Sequence, residues 1–113
     1  MKFVRVYTGP DNESHTEVIE PPFSDRDGTR TALEATSGII FAQRPDDGFS
    51  DFHQAPRLQY VIYLTASVEI GLGDGTSTVM EPGDVLRAED TTGHGHTSTV
   101  RQGGVCAFVP IAD

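Results

Sequence analysis

Hydrophobic and polar positions alternate along the chain in short runs that turn residues separate. The runs are rich in Val, Ile, Thr, Tyr and Phe, as in KFVRVY, SGIIFAQR, LQYVIYL, VLRAE and VCAFVPI. Residues of these types at a period of two indicate β-strands, and closely spaced turn signals between them are typical of a sandwich or barrel. We therefore predict an all-β fold.

Two turns have a clear physical basis. Residues 73–75 (GDG) lie between VEIGL and TSTVM, where a tight hairpin requires positive φ that Gly and Asp tolerate. Residues 82–84 (PGD) suit a type II turn, because Pro fixes φ at the first central position and Gly takes the second. A helical pattern is found only over residues 29–36 (TRTALEAT), which predicts a helix of at most two turns.

The length and charge of the chain limit its architecture and its partners. A single domain over residues 1–113 is the expected organisation, since 113 residues match one ordinary domain and no repeat or linker interrupts them. Seventeen acidic and eight basic residues give a formal net charge of −9. This charge would repel phosphate backbones and anionic lipids, so we expect neither nucleic acid nor a membrane as a partner.

Cys106 is the only cysteine, which excludes an internal disulfide and fits a reducing compartment. We expect it to be a buried strand thiol rather than a nucleophile, because no basic residue lies near it in sequence to activate it. The sequence shows no apolar run that would form a signal peptide or cross a bilayer. A cytoplasmic protein is therefore the expectation.

The stretch DFHQAPRLQYVIYL carries the first group of candidate site residues. As an extended segment of period two, it places six side chains on one face: His53, Ala55, Arg57, Gln59, Val61 and Tyr63. Arg57 could clamp a substrate carboxylate, or equally be an exposed strand arginine. Tyr63 could direct its hydroxyl at a ligand, or be a packed core aromatic.

The stretch EDTTGHGHTSTV, residues 89–100, carries the second group. If it is extended, His94 and His96 project to the same side. Two imidazoles so placed could chelate a metal ion, with His53 as a third ligand and Gln59 as a weak oxygen ligand.

Local conformation decides how the second group is used. Which of His94 and His96 faces inward depends on φ at Gly93 and Gly95, where glycine leaves both arrangements open. Glu89 and Asp90 just before them could supply a general base or orient His96. A turn-forming Asp is the alternative interpretation of Asp90.

Together these residues resemble the two motifs of the cupins, small double-stranded β-barrels of the jelly-roll type. His53 matches the first His of the first motif, residues 82–84 match the turn of the second motif, and His96 matches the His that follows that turn. The resemblance covers roughly residues 37–111, and it implies a cupin jelly-roll barrel with extra strands at the N-terminus.

The chain also departs from the cupin pattern. Ala55 stands where the second metal-binding His belongs, Gln59 stands where the Glu belongs, and Ala66 replaces the closing Gly. The resemblance implies one divalent ion, Fe, Mn, Ni or Zn, and the departures leave a metal-free site as an equal alternative. The ligands of such an ion would come from His53, Gln59, His94 and His96.

The functional expectation is a small cupin enzyme acting on a small polar metabolite inside the barrel, for which a carboxylate-bearing molecule is one candidate. His53 and His96 would be acid–base groups or metal ligands, Gln59 would position the substrate, and Arg57 and Tyr63 would bind it. An isomerase, cyclase or lyase fits a metal-free site, and an oxygenase fits a metal-bound one.

Two alternatives remain open at this point. A non-catalytic small-molecule-binding or sensor cupin uses the same pocket, since fold does not imply function. A structural dimer module with a decayed site is the other. The resemblance and the need to cover open sheet edges both imply a homodimer.

Overall fold

Ten β-strands form two sheets within residues 1–21, 23 and 27–112, which the computed structural model describes. The strands are β1 (Phe3–Thr8), β2 (Ser14–Val18), β3 (Ile40–Arg44), β4 (Phe49–His53), β5 (Gln59–Tyr63), β6 (Ser67–Gly71), β7 (Ser77–Met80), β8 (Val85–Ala88), β9 (His96–Gln102) and β10 (Gly104–Pro110). The all-β prediction is confirmed.

The larger sheet has the order β2-β1-β8-β5-β10-β3, and the smaller sheet has the order β4-β9-β6-β7. Neighbouring strands are antiparallel except β1 and β8, which are parallel. The arrangement is that of a two-sheet sandwich, and the sheets do not join into a closed barrel in the described part of the chain.

Period-two burial on both sheets creates the core between them. Along β5, Gln59, Val61 and Tyr63 are buried while the residues between them are partly exposed. Valines are numerous among the inward side chains because β-branched residues pack well on a pleated surface. Other buried residues that make up this core are Val4, Val6, Val68, Ile70, Met80, Leu86, Val100 and Cys106.

Both predicted turns are confirmed. Over residues 73–75, the amide of Gly75 donates to the carbonyl of Leu72 at 3.1 Å and closes the hairpin between β6 and β7. Gly83 has φ +95°, the left-handed value that the second central position of a type II turn requires. The Asp84 carboxylate then accepts a hydrogen bond from the backbone amide of Lys2 at 2.7 Å, which fixes the start of the chain against this turn.

The predicted helix over residues 29–36 is wrong. The segment is extended, with a bridge from Thr36 to Ile111 and a hydrogen bond from the Ala112 amide to the Ala35 carbonyl at 3.0 Å. Eight residues form a marginal helix at best, so backbone partners supplied by the end of β10 decide the conformation. Glu34 adds an ion pair with Arg87 at 3.1 Å, which ties the segment to the outer face of the larger sheet.

An apolar surface surrounds the start of edge strand β3. Ile39, Ile40 and Phe41 are all exposed, and Phe41 is 66% exposed. We call these three residues the β3 edge patch. No helix in the described residues is long and apolar enough to cross a membrane.

Candidate functional site

A cavity of about 260 Å³ lies between the two sheets. Its apolar wall comes from the sandwich core and includes Val61, Val68, Ile70, Leu86 and Phe108. Its polar lining consists of Arg44, Ser50, His53, Gln59, Tyr63, His96 and Ser98. The cavity therefore brings together His53, Gln59, Tyr63 and His96 from the sequence prediction.

His53 and His96 face each other across a strand pair. β4 and β9 are antiparallel, and their register places His53 directly opposite His96. The ring centroids are 4.6 Å apart with an angle of 59° between the planes. Directly opposed residues on antiparallel strands have close Cβ atoms, so the pairing of β4 with β9 brings the two rings together, next to an irregularity in the register between Ser50 and His53.

A buried carboxylate orients His96. Oδ2 of Asp90 accepts hydrogen bonds from Nδ1 of His96 at 2.5 Å and from Oγ of Ser14 at 2.7 Å. Asp90 is 0% exposed and His96 is 5% exposed. The backbone carbonyl of Asp90 also accepts from the Ala55 amide at 3.0 Å, which anchors the residue from a second side. Asp90 therefore orients His96, which is one of the three interpretations that the sequence left open.

The partners of the two imidazoles determine which nitrogen is free. Nδ1 of His53 contacts the backbone carbonyl of Asp51 at 2.7 Å, and a carbonyl can only accept. Nδ1 of His96 faces the Asp90 carboxylate, which is likewise an acceptor. Each neutral ring therefore carries its proton on Nδ1, and each Nε2 has a lone pair that is available to the cavity.

Gly95 permits the close approach that places His96. It has φ +83°, and a Cβ at this position would lie 2.1 Å from the backbone oxygen of His53. Only glycine tolerates both the positive φ and the contact. The loop before β9 therefore lies directly against β4, and His96 enters the cavity as the first residue of the strand.

Arg57 fixes the orientation of the Gln59 amide. Nη1 of Arg57 donates to Oε1 of Gln59 at 3.1 Å. A guanidinium has only donors, so the amide oxygen must face Arg57 and the amide NH₂ is left to donate elsewhere. Gln59 is 4% exposed and lines the cavity, whereas Arg57 is exposed and lies outside the lining. The part of the Gln59 amide that Arg57 does not engage is therefore its NH₂ donor.

Arg44 and Tyr63 form the polar end of the cavity near the β3 edge. Burial raises the pKa of the Tyr63 hydroxyl, which keeps it a neutral donor, and nearby Arg44 acts in the opposite direction. Cys106 lies beside them on β10, and burial raises the pKa of its thiol. The expectation of a buried, unreactive cysteine is consistent with this position, since the thiolate is the nucleophilic form.

His94 does not join the other two histidines. Its Nδ1 contacts the Glu13 carboxylate at 2.9 Å, and its ring stacks on Phe52 with centroids 4.0 Å apart. It lines a separate, more open depression of about 480 Å³ outside the cavity, with His53 at the boundary between the two. The φ values of Gly93 (+77°) and Gly95 (+83°) rotate His94 outward and His96 inward.

The donor set does not match a tightly held metal ion. Two imidazoles converge, but the Gln59 oxygen is directed at Arg57, and His94 is held by Glu13. Over residues 1–21, 23 and 27–112, no group of three His, Cys, Asp or Glu side chains could hold an ion. A facial set of three ligands is what a transition metal requires here. We therefore derive no step that depends on a metal.

The structure adds polar residues that the sequence did not single out as site residues: Ser14, Arg44, Ser50 and Ser98. Ser50 and Ser98 are cross-strand partners on β4 and β9, two or three positions from the histidine pair. Alternation along β9 from His96 is a signal that could have identified Ser98.

Comparisons with known proteins give no family for this chain. No protein-family model matches it. No curated protein matches it significantly. Its function must therefore be inferred from the cavity.

Proposed function

We propose that this protein is a cupin-type enzyme that moves a proton on a small polar metabolite bound between its two sheets. The cupin assignment is supported by the facing sheets, by the type II turn at residues 82–84, and by His53 and His96 lying opposite each other. The observation that carries the catalytic proposal is the buried Asp90–His96 pair, whose remaining nitrogen is available to the cavity.

His96 is the general base in this proposal. Its Nε2 accepts a proton from a carbon next to a carbonyl group, so the C–H bond breaks, an N–H bond forms, and the electron pair moves to the carbonyl oxygen. The Asp90 carboxylate stabilises the imidazolium that results, because a charge-assisted hydrogen bond strengthens when its donor becomes positive. Both groups are buried, so water screens this interaction little.

Gln59 and His53 complete the proposed reaction. The Gln59 NH₂ donates to the carbonyl oxygen as negative charge develops there, the role of an oxyanion donor. The protonated His96 returns its proton to a neighbouring atom of the substrate, which gives isomerisation, or to a leaving group, which gives elimination. His53 lies 4.6 Å from His96 between ring centroids, and the lone pair on its Nε2 can accept a second proton from the substrate and then return it.

The size of the cavity limits the substrate to a small metabolite. About 260 Å³ is slightly less than the range of about 300–1,000 Å³ that is typical of sites for drug-sized ligands. The apolar side chains Val61, Ile70 and Leu86 line the wall and leave little room for water around the reacting carbon. Exclusion of water strengthens the hydrogen bonds that the mechanism uses.

Solvent deuterium exchange tests the proposal directly. Small oxo-acids and oxo-amides are incubated with the protein in D₂O, and loss of the C–H signal next to the carbonyl is followed by proton NMR. We expect exchange with at least one compound, and we expect His96→Gln to slow it by about 10²- to 10⁴-fold. His94→Gln is the matched control, because this histidine lies outside the cavity and should exchange at the wild-type rate.

Two results would contradict catalysis. Binding of a compound without exchange would identify a sensor or carrier, which is the non-catalytic alternative. Exchange at the same rate in wild type and His96→Gln would remove His96 from the base role.

A further inference from the structure

We propose that Arg44 binds the carboxylate of the substrate at the end of the cavity opposite His96, so that the substrate class is a short-chain organic anion. This inference rests on the proposed function for the reacting end of the molecule. It assigns a separate subsite to the other end.

Arg44 lies in the cavity because of its position on β3. It is the last residue of this edge strand and pairs with Gly104 of β10. Ala42, two positions earlier, packs against the core, so the alternation of the strand turns Arg44 inward as well. The side chain is half-buried and is part of the cavity lining.

The charge of Arg44 is not balanced by a carboxylate. Arg5, Arg87 and Arg101 each form an ion pair with a glutamate, whereas Arg30, Arg44 and Arg57 form none within 4.0 Å in the described ranges of the chain. Of these three, Arg44 is half-buried and lines the cavity, and the other two are exposed. A half-buried guanidinium that lines a cavity without a counterion attracts an anion, and a carboxylate matches its planar geometry.

The hydroxyl of Tyr63 lies in the same part of the cavity. Tyr63 is 3% exposed and lines the cavity. Strand β10 pairs Gly104 with Arg44 and Cys106 with Tyr63, which places Arg44 beside this end of β5, where its side chain also hydrogen-bonds the Cys106 thiol. A neutral hydroxyl donor beside an arginine suits a carboxylate, which accepts from both.

The two ends of the cavity are separated by the length of a strand. Gln59 begins β5 near the histidines, and Tyr63 ends it near Arg44. Four residues of a strand span about 13 Å. The substrate therefore carries its carboxylate several bonds from the reacting carbon. Arg57, the arginine favoured by the sequence, is instead engaged with Gln59 outside the lining.

A matched pair of probes tests the subsite. 4-Methylpentanoate and 4-methylpentanamide have nearly the same shape but differ in charge, and each is titrated into the protein while histidine and tyrosine ring signals are followed by NMR. We expect the carboxylate to bind more tightly than the amide. Arg44→Gln should weaken carboxylate binding about ten- to hundred-fold and change amide binding less than about two-fold.

Control variants separate the charge of Arg44 from general effects. Arg101→Gln removes the same charge from an exposed side chain and should bind the carboxylate as wild type does. Arg44→Lys keeps the charge and should retain a preference for the carboxylate, provided that thermal unfolding shows that each variant is folded. Equal binding of the two probes by wild type, no binding of either, or unchanged carboxylate binding by folded Arg44→Gln would overturn the inference.

The subsite and the catalytic proposal can fail separately. Carboxylate binding that Arg44→Gln abolishes, without any deuterium exchange, supports the subsite and refutes proton transfer. Exchange that depends on His96 but is insensitive to Arg44→Gln supports catalysis and refutes the subsite.

Discussion

Replacing Asp90 with alanine should destabilise the fold, because it removes the acceptor of two buried donors. Oγ–H of Ser14 and Nδ1–H of His96 both donate to Oδ2 of Asp90, at 2.7 and 2.5 Å. A buried donor left without an acceptor costs about 1–3 kcal/mol, so two cost about 2–6 kcal/mol. Removing the carboxylate also removes the cost of burying it, which acts in the opposite direction. We therefore expect the free energy of unfolding to fall by about 2–3 kcal/mol in total.

The free energy of unfolding is measured by urea denaturation followed by far-ultraviolet circular dichroism, with linear extrapolation to water. The expected loss is a large fraction of the about 5–15 kcal/mol that stabilises a typical domain, yet it leaves the variant folded. Ser37→Ala, an exposed serine, serves as a control and should stay within about 0.5 kcal/mol of wild type.

A double-mutant cycle isolates the hydrogen bond between Ser14 and Asp90. In Ser14→Ala/Asp90→Ala, one donor disappears together with its acceptor. The double variant should therefore be less destabilised than the sum of the single variants, by about 1–3 kcal/mol. Additivity within about 0.5 kcal/mol would refute the shared acceptor, and so would a cost below about 1 kcal/mol for Asp90→Ala alone.

Three further predictions concern the loop before β9, the outer segment and the sheet edge. Gly95→Ala should lower the free energy of unfolding by about 1–3 kcal/mol in the same urea assay, because the added Cβ would collide with the His53 carbonyl oxygen. An unchanged urea midpoint would contradict the close contact between Gly95 and His53. The hydrogen bond from the Tyr60 hydroxyl lowers the pKa of Glu34 in the folded protein. The ionised Glu34 therefore contributes its full stabilisation above the unfolded-state pKa of about 4.3, and this contribution is lost as the pH falls through the lower folded-state pKa. NMR amide signals of residues 30–36 should therefore titrate with a midpoint below about 4.3, and a higher midpoint contradicts this. A second copy of the chain should cover the β3 edge patch. In size-exclusion chromatography with light scattering, the wild type should therefore elute as a homodimer and Phe41→Glu as a monomer. A monomeric wild type would contradict this prediction.

The strands and turns could be predicted because their determinants are local. Alternation of burial along β5 follows from side chains two positions apart, and the turn at Gly83 follows from proline and glycine at fixed positions. Residues 29–36 could not be predicted, because their conformation depends on partners near Ile111, which local propensity does not include. Long-range pairing outweighs propensity in such a short segment.

The candidate site was predictable only in part, for a similar reason. His53 and His96 were found because each matches a motif position, and their strands pair in register. Ser14 and Asp90 are 76 positions apart in the sequence, and no local sequence pattern predicts their hydrogen bond. Arg44 precedes a proline turn and resembles an ordinary strand end, so only the packing of β3 against β10 shows that it lines the cavity.

Residues outside the cavity lining determine which hydrogen-bonding groups the cavity presents. Asp90 decides which nitrogen of His96 is free, and Arg57 decides which end of the Gln59 amide faces inward. A substitution at Asp90 could turn the acceptor that His96 presents into a donor, and a substitution at Arg57 could turn the donor that Gln59 presents into an acceptor. This scaffold could therefore acquire a new substrate preference in evolution through residues that never touch the substrate.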